Sequence, residues 1–498
     1  MHTSIYSISE SPRNGQIIWV GTDDGNLQIT RDGAKTWTNV VNNVKGLAPN
    51  SWVSTVAAGR FEDGVAYATF DRHTYGDMAP YAYRTTDYGQ SWTSLNLAEN
   101  GVRGYAHVIA EDSKSPNVLF VGTEFGLWIS VDGGQHWVQY KGSDFPAVAV
   151  RDIVVQLRTS GLVLATHGRG IWIIDGISPL RQLTPELMAK DAVVLDSPPS
   201  IQYFNANGGW PQGDAGFTGP SRPNDASITY YQKARHMYGD LKLEIFDPGG
   251  SKLAEFTPKS KHKGLNRAQW SMRLPPPVVP PGAQILFPAS EGPRVLPGTY
   301  PVKLLKGDQT YDGQVTLVLD PRARFNLDDR KAEYELAMKL YKMLGHMSYE
   351  VAAIQTVRDN ASERAGRLGS NKALQARLEQ LSANADGLRS KIVATKEGGA
   401  ITGEERIREH VGELYGYVIQ YEGRPTNYQV ARADSLDHEL QDVVANFDKL
   451  TADLPAINSS LQRAKLEPIT VPKEEQWLQE HANRGEAPVK ASATREID

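Results

Sequence analysis

The chain contains no cysteine, so disulfide scaffolds, thiolate metal sites and thiol nucleophiles are excluded. No apolar run reaches the ~18 residues that a membrane-crossing helix needs. Met1–Pro12 is too polar for the apolar stretch of a signal peptide. A formal charge of −5 is small for 498 residues, and no long basic block occurs. The electrostatic footprint of a nucleic-acid binder is therefore missing. The 11 histidines show no His-Glu-x-x-His spacing, and there is no Gly-x-Ser-x-Gly elbow and no phosphate loop. Gly168-Arg169-Gly170 lacks the rest of a dinucleotide fingerprint, and Asp23-Asp24-Gly25 falls well short of a calcium loop. No cofactor and no metal are expected.

What is present points to several β-rich domains. The length exceeds what one core usually serves, which gives a prior of two to four domains. The 45 Gly and 29 Pro exceed the usual combined share of roughly 12%, which favours turn-rich β architecture. With 10 Trp, 21 Tyr and 12 Phe the chain has the large side chains that real cores require.

The first 175 or so residues repeat. Stacking the stretches that end in Trp37, Trp92 and Trp137 aligns three copies: Thr30-Arg31-Asp32-Gly33-Ala34-Lys35-Thr36-Trp37, Thr85-Thr86-Asp87-Tyr88-Gly89-Gln90-Ser91-Trp92 and Ser130-Val131-Asp132-Gly133-Gly134-Gln135-His136-Trp137. Upstream of each lies a short β-rich run, Ile17–Thr22, Val65–Phe70 and Val118–Thr123. A fourth, Leu162–Thr166, is followed by Gly170–Ile174. Short strands at this period predict about four propeller blades over 1–177. Asp32, Asp87 and Asp132 are expected to take backbone N–H bonds in tight turns, and Trp37, Trp92 and Trp137 to pack between neighbouring sheets.

These motifs resemble the Asp-box, or BNR, repeat of sialidases, xyloglucanase-type propellers and the sortilin (VPS10) family. The first copy departs from it at Ala34. The stretches Val20–Gly25, Phe120–Gly126 and Ala165–Trp172, together with Leu296-Pro297-Gly298-Thr299-Tyr300, are similar to large bacterial sortilin-like proteins often labelled glycosyl hydrolase. The resemblance implies rings larger than four blades, and an extracytoplasmic (periplasmic or secreted) setting with the export signal absent from this chain. Met1–Ser9 reads as a first blade strand with nothing before it to close a ring. The expectation is therefore the C-terminal portion of a longer protein, with the missing blades supplied by an upstream segment, a partner chain or self-association.

After a linker at 178–199, strands at Ser227–Gln232, Leu241–Phe246, Lys252–Phe256, Ala268–Leu274, Tyr300–Lys306 and Gln314–Leu319 predict an Ig- or fibronectin-like β-sandwich over 200–322. Pro275–Pro281 reads as a rigid connector. From 323 to 467 the three-four spacing of apolar residues predicts an antiparallel helical bundle. Its helices are placed over Asp328–Asn360, Asn371–Thr395, Thr402–Tyr421 and Ala433–Ala464. Residues 468–498 read as a loosely held tail.

Candidate chemistry sits in one loop of each blade, after its second strand: Asp23, Asp71 with His73, Glu124, and His167 with Arg169. Blades related by rotation bring equivalent loops to one rim. Two carboxylates there could act as acid and base, or acid and nucleophile, on a glycan. Asp23, Asp71 and Glu124 are the candidates for that work, with His73, Arg84, His167 and Arg169 as ligand contacts. The same residues also suit tight turns and latches between blades. A sialidase-type site further needs an arginine cluster and a tyrosine supported by a glutamate, and the spacing of Arg60, Arg84, Arg151 and Arg169 singles out no such set. Three functions follow: a propeller that binds a glycan or polypeptide, a glycoside hydrolase using rim carboxylates, or a spacer whose helical bundle self-associates.

Overall fold

The computed structural model describes residues 4–142, 145–158, 160–203, 224–283, 285–369, 371–396 and 403–482. The chain divides into two compact units. One comprises Met1–Pro198, Thr229–Met237 and Lys261–Asn266, and the other Pro199–Ile228, Tyr238–Ser260 and Arg267–Asp498.

The first unit is built from consecutive antiparallel meanders, the architecture of propeller blades. Blade 1 contains β1 (Ile5–Glu10), β2 (Ile18–Thr22), β3 (Leu27–Thr30) and β4 (Thr38–Asn39). Blade 2 contains β5 (Trp52–Ala58), β6 (Ala66–Arg72), β7 (Asp77–Thr85) and β8 (Thr93–Ser94), and blade 3 contains β9 (Ala106–Glu111), β10 (Leu119–Thr123), β11 (Gly126–Ser130) and β12 (Val138–Gln139). Blade 4 has three described strands, β13 (Val150–Gln156), β14 (Gly161–Thr166) and β15 (Ile171–Ile174). The first strands stitch one blade to the next through side chains: Ser7 Oγ receives the Val56 N–H at 2.9 Å, and Thr55 donates to the His107 carbonyl at 2.8 Å.

The three repeat motifs fold alike. Asp32 accepts from the Thr30 and Thr36 hydroxyls at 2.8 and 2.7 Å and from the Thr36 N–H at 2.9 Å. Asp87 does the same with Thr85 and Ser91, and Asp132 with Ser130 and His136. The Thr36 hydroxyl and N–H are the main reason the exposed Asp32 carboxyl is held down at about 2. Each turn needs two successive residues at positive φ. In the third copy these are Gly133 and Gly134, in the second Tyr88 and Gly89, and in the first Gly33 and Ala34. Trp92 and Trp137 are buried as expected, Trp92 edge-on to Trp19 of blade 1 at 5.8 Å. Trp37 is instead 41% exposed, because no blade covers that side of blade 1.

After blade 4 come α1 (Pro185–Ala189), with Thr184 capping it, and β16 (Ala192–Leu195). The stretch 178–199, read from sequence as a linker with one short helix around Pro185–Lys190, carries that helix and a strand besides, and Arg181 in it forks onto the buried Asp112 at 2.8 and 2.9 Å. The strands that follow are β17 (Ser200–Gln202), β18 (Ala226–Gln232), β19 (Leu241–Phe246), β20 (Lys252–Phe256), β21 (Gly264–Trp270), β22 (Gly298–Lys306) and β23 (Gln309–Leu319). Within the second unit β17, β23, β22, β19 and β20 form one sheet in that order, parallel only at β17–β23. Leu241, Leu243, Ile245, Tyr300, Val302 and Leu304 alternate along β19 and β22 and bury one face of that sheet. The Asp247–Gly250 turn joins β19 to β20, with Asp247 accepting from the Ser251 N–H at 2.8 Å.

The helices are α2 (Leu327–Gly366), α3 (Lys372–Ile392), α4 (Ile407–Gln420), α5 (Asn427–Thr451), α6 (Leu454–Arg463) and α7 (Glu474–Ala482). Asn326 and Asp329 form a capping box at the start of α2. Three expectations need correction. The segment expected as one helix over Ala433–Ala464 is two helices, because Pro455 suits only the first turn of a new one. The third helix starts at Ile407 rather than Thr402, capped by Glu409 on the Arg406 N–H, and Thr402 itself lies outside the described residues. The tail is held through Ala482: Ile469 is buried, Asn458 brackets its backbone, and Tyr349 donates to the Pro472 carbonyl at 3.0 Å. Its remainder, 483–498, lies outside the described residues. The proline-rich stretch 275–281 packs against the helices, with Arg408 donating to the Pro280 carbonyl at 2.7 Å. Arg330, fully buried, pairs with Glu333 and lies beside Glu422, which in turn pairs with Arg294 at 3.0 Å. Burial pushes the Glu333 carboxyl up to about 7 against the opposing pull of Arg330. Among the described residues no helix is long and apolar enough to cross a membrane.

Candidate functional site

One irregularity recurs in all four blades at the same place. The first strand of each carries a β-bulge, between Ile5 and Ser7, Val53 and Thr55, Ala106 and Val108, and Val150 and Asp152. A bulge leaves its extra residue unpaired and re-aims its side chain. The four extra residues are Tyr6, Ser54, His107 and Arg151. The ends of the second strands, Thr22, Asp71, Thr123 and Thr166, stand at this same rim, across from the first residues of the first strands.

Here Asp71, His73, Tyr105, His107, Glu124 and Arg151 meet across blades. His73 Nδ1 lies 2.6 Å from Asp71 Oδ1, which also accepts the His73 N–H at 2.9 Å. Arg151 donates to His107 Nδ1 at 3.1 Å and to the Tyr105 hydroxyl at 2.9 Å. Tyr105 donates onward to Glu124 Oε2 at 2.5 Å, while the Tyr6 hydroxyl reaches His107 Nε2 at 3.4 Å. The rings interlock: His73 stacks on Tyr105 at 4.6 Å and 22°, and Tyr6 meets Trp52 edge-on at 4.6 Å.

Asp71 is the deepest member, 1% exposed. Its Oδ1 is satisfied, but Oδ2 has no partner within hydrogen-bond distance, His107 Nδ1 standing 3.7 Å away. Burial alone would raise the Asp71 carboxyl. The neighbouring imidazoles of His107 and His73 and the His73 N–H reverse this and hold it below the ordinary carboxylate range. The site therefore contains a buried carboxylate with one oxygen still able to accept. Burial, then Glu124, pushes the Tyr105 phenol up to about 12, so it is a neutral donor at pH 7. Toward solvent the cluster presents Tyr6, His73, Glu124 and Arg151, each partly exposed.

Of the residues expected here from sequence, the structure gathers Asp71, His73 and Glu124. Asp23 instead closes its own blade, accepting the Ser4 N–H at 2.8 Å. Arg84 pairs with Tyr67 in the register of blade 2, at the far end of the sheet from Asp71, where Glu111 accepts from Tyr67 at 3.0 Å. His167 and Arg169 stand exposed after β14 and, among the described residues, share no hydrogen bond or ion pair with the Asp71 cluster. Tyr6, Trp52, Tyr105 and His107 were not anticipated. Aligning the first strands on their bulges would have found Tyr6 and His107, but a bulge leaves no composition signature. Among the described residues, no three His, Asp or Glu side chains are arranged to hold a metal ion.

No family model and no curated protein matches the chain. Among solved structures, it is similar to YCF48 from Cyanidioschyzon merolae (18% identity, 35% of this chain and 54% of that one, TM-score 0.26). It is also similar to a GH74 enzyme from Niastella koreensis (13%, 63% and 46%, TM-score 0.27) and to the GH74 xyloglucanase from Xanthomonas campestris (13%, 66% and 47%, TM-score 0.28). The chain spans about half the length of these proteins. The first unit is of the β-propeller class. Its consecutive antiparallel meanders, each with a bulge at the same place in its first strand, are the blades of that class.

Proposed function

We propose that this rim is a recognition site for a glycan, in an extracytoplasmic protein of sortilin-like type. The observation that carries the reading is the unpartnered Oδ2 of Asp71, a buried ionised acceptor set among ring faces. A buried acceptor without a partner is costly, and a ligand hydroxyl that supplies the missing hydrogen bond recovers that cost. Aromatic faces beside such an acceptor suit the apolar face of a sugar ring. Asp71 cannot serve as a general acid near neutral pH, because its carboxyl is held ionised.

The test is binding of neutral and sialylated oligosaccharides, with a peptide library alongside, measured by calorimetry. Asp71→Asn is expected to weaken oligosaccharide binding about tenfold or more, as loss of a hydrogen bond to a charged group implies. Tyr6→Ala, at an exposed position, is expected to weaken it without altering the melting temperature. Binding confined to peptides, or oligosaccharide binding indifferent to both substitutions, overturns the glycan reading.

A second reading, glycoside hydrolysis, is favoured by one contact: Tyr105 donates to Glu124 while Arg151 donates to the same hydroxyl, the kind of supported tyrosine that a sialidase-type nucleophile needs. Tyr105→Phe separates the two readings. It abolishes turnover under the second and leaves oligosaccharide affinity nearly intact under the first.

A further inference from the structure

Within the second unit, the segment 285–290 is clamped onto α4 by two glycines of that helix. A Cβ at Gly412 would lie 2.5 Å from Leu286 Cδ1, and one at Gly416 would lie 2.4 Å from Pro288 Cβ, so only glycine lets the segment sit this close. With Leu286 and Pro288 held against the helix, Phe287 between them stands 72% exposed. The Tyr415 hydroxyl, donating to the Glu291 carbonyl at 2.7 Å, ties down the far end of the segment. Tyr417 lies on α4 and Tyr421 four residues on, just past its end, and both are exposed on the same side.

Phe287, Tyr417 and Tyr421, with Phe325 from the approach to α2, line one cavity of about 1020 Å³. A second cavity, of about 390 Å³, adjoins it through Arg273, Ser290 and Glu291, which line both. Arg273 is fixed there by Glu291 at 3.2 Å and Arg322 by the buried Asp320 at 2.7 Å. Arg324, also in the wall, is exposed and has neither an ion pair nor a hydrogen bond among the described residues. Glu422 is buried beneath. Its Oε1 pairs with Arg294 at 3.0 Å, but its Oε2 has no hydrogen-bond partner, Arg330 Nε standing 3.9 Å away.

The wall thus offers three things at once: ring faces open to solvent, a cation without a counter-ion, and a buried acceptor without a donor. Aromatic surface gathered in this way marks an interaction site. Rings with arginine form the energetic centre of contacts between proteins, where lysine is depleted, and the described residues lining the two cavities include no lysine. An acidic polypeptide answers all three demands, with main-chain N–H groups as donors, a side-chain carboxylate for the guanidinium and apolar side chains for the rings. We propose that this cavity and its smaller neighbour bind an extended acidic polypeptide segment of a partner protein, with a carboxylate on Arg324 and apolar side chains against Phe287, Tyr417 and Tyr421. The inference does not rest on the glycan reading of the rim, which lies in the other unit.

Selection of a random peptide library on the full chain tests it, with the selected peptides then synthesised and measured by calorimetry. Binders are expected to be enriched in Asp and Glu beside aromatic residues and to weaken as salt rises. Arg324→Glu and the double variant Phe287→Ala/Tyr421→Ala are each expected to lower their affinity at least about tenfold. All three positions are exposed, so circular dichroism and melting of the variants stay those of the wild type. Asp71→Asn leaves this binding unchanged, which separates it from any ligand of the rim. A selection that yields no binder, binders without acidic enrichment, peptide affinity indifferent to both groove variants, or a groove that takes acidic oligosaccharides in place of peptides overturns the proposal.

Discussion

Equivalent turn positions in the repeat predict opposite responses to one methyl group. Gly89 and Ala34 occupy the same place in their motifs, at φ of 82° and 71°. Gly89 is buried, and a Cβ there would lie 2.9 Å from Val40 Cγ2 and 3.3 Å from Trp19 Cη2 of blade 1. Ala34 is exposed, in the blade that has no neighbour on that side. For Gly89→Ala the left-handed backbone costs about 1–2 kcal/mol and overpacking about 1–3 kcal/mol. Reduced freedom of the unfolded chain offsets about 0.4–1 kcal/mol, leaving a net loss of roughly 1–4.5 kcal/mol. Ala34→Gly removes the backbone term alone and should stabilise by roughly 0.5–1 kcal/mol after the same offset. Thermal unfolding followed by tryptophan fluorescence reads both, the edge-on Trp19–Trp92 pair lying at the affected junction. At roughly 2–4 °C per kcal/mol for a unit of this size, Gly89→Ala lowers the first unit's midpoint by roughly 2–18 °C, while Ala34→Gly raises it slightly. Equal shifts for the two substitutions would refute the argument that blade contact, rather than the turn, sets the difference.

Two further outcomes follow from buried charges. Arg181→Met strands the Asp112 carboxylate, which has no exposed side-chain surface, and should cost about 3–5 kcal/mol in denaturant unfolding at pH 7, partly recovered by adding Asp112→Asn. Burial raises the Asp112 carboxyl, but Arg181 and the N–H groups of Lys114 and Ser115 depress it overall. Its stabilisation is thus present above the ordinary carboxylate value and lost as pH falls through the lower folded one. Glu333 has the reverse sign: the folded state holds its proton up to about 7, so stability of the second unit declines as pH rises from 4.5 to about 7, by about 3 kcal/mol. Unfolding of wild type and Glu333→Gln at pH 5 and pH 8 checks this, and a glutamine variant with the same decline as the wild type would exclude Glu333 as its source.

The repeat was legible because its residues act locally. Asp32, Asp87 and Asp132 bond within four residues, so spacing alone revealed three turns and the strands between them. The strands and helices of the second unit were legible for a related reason, since one buried face imposes a period of two or of three to four. Where a local rule was overlooked, as at Pro455, the reading failed by a helix break rather than by a wrong element.

The site was legible only in part. Rotation of like blades brings equivalent loops to one rim, and that sufficed to pair Asp71, His73 and Glu124. It did not exclude Asp23, which is consumed by the Ser4 N–H, nor Arg84, which the register sends to the opposite end. Tyr6, His107 and Arg151 converge because of a bulge, a shift of one residue in pairing that depends on the partner strand. Tyr105 and Trp52 join through contacts between blades, with His73 and His107, 32 and 55 residues away in sequence. Local sequence therefore determined the turns, the strands and the number of blades. Which side chains share a rim, which carboxylate oxygen is left unpartnered and which faces stay uncovered were decided by the pairing of strands and the stacking of blades, long-range choices that no short segment encodes.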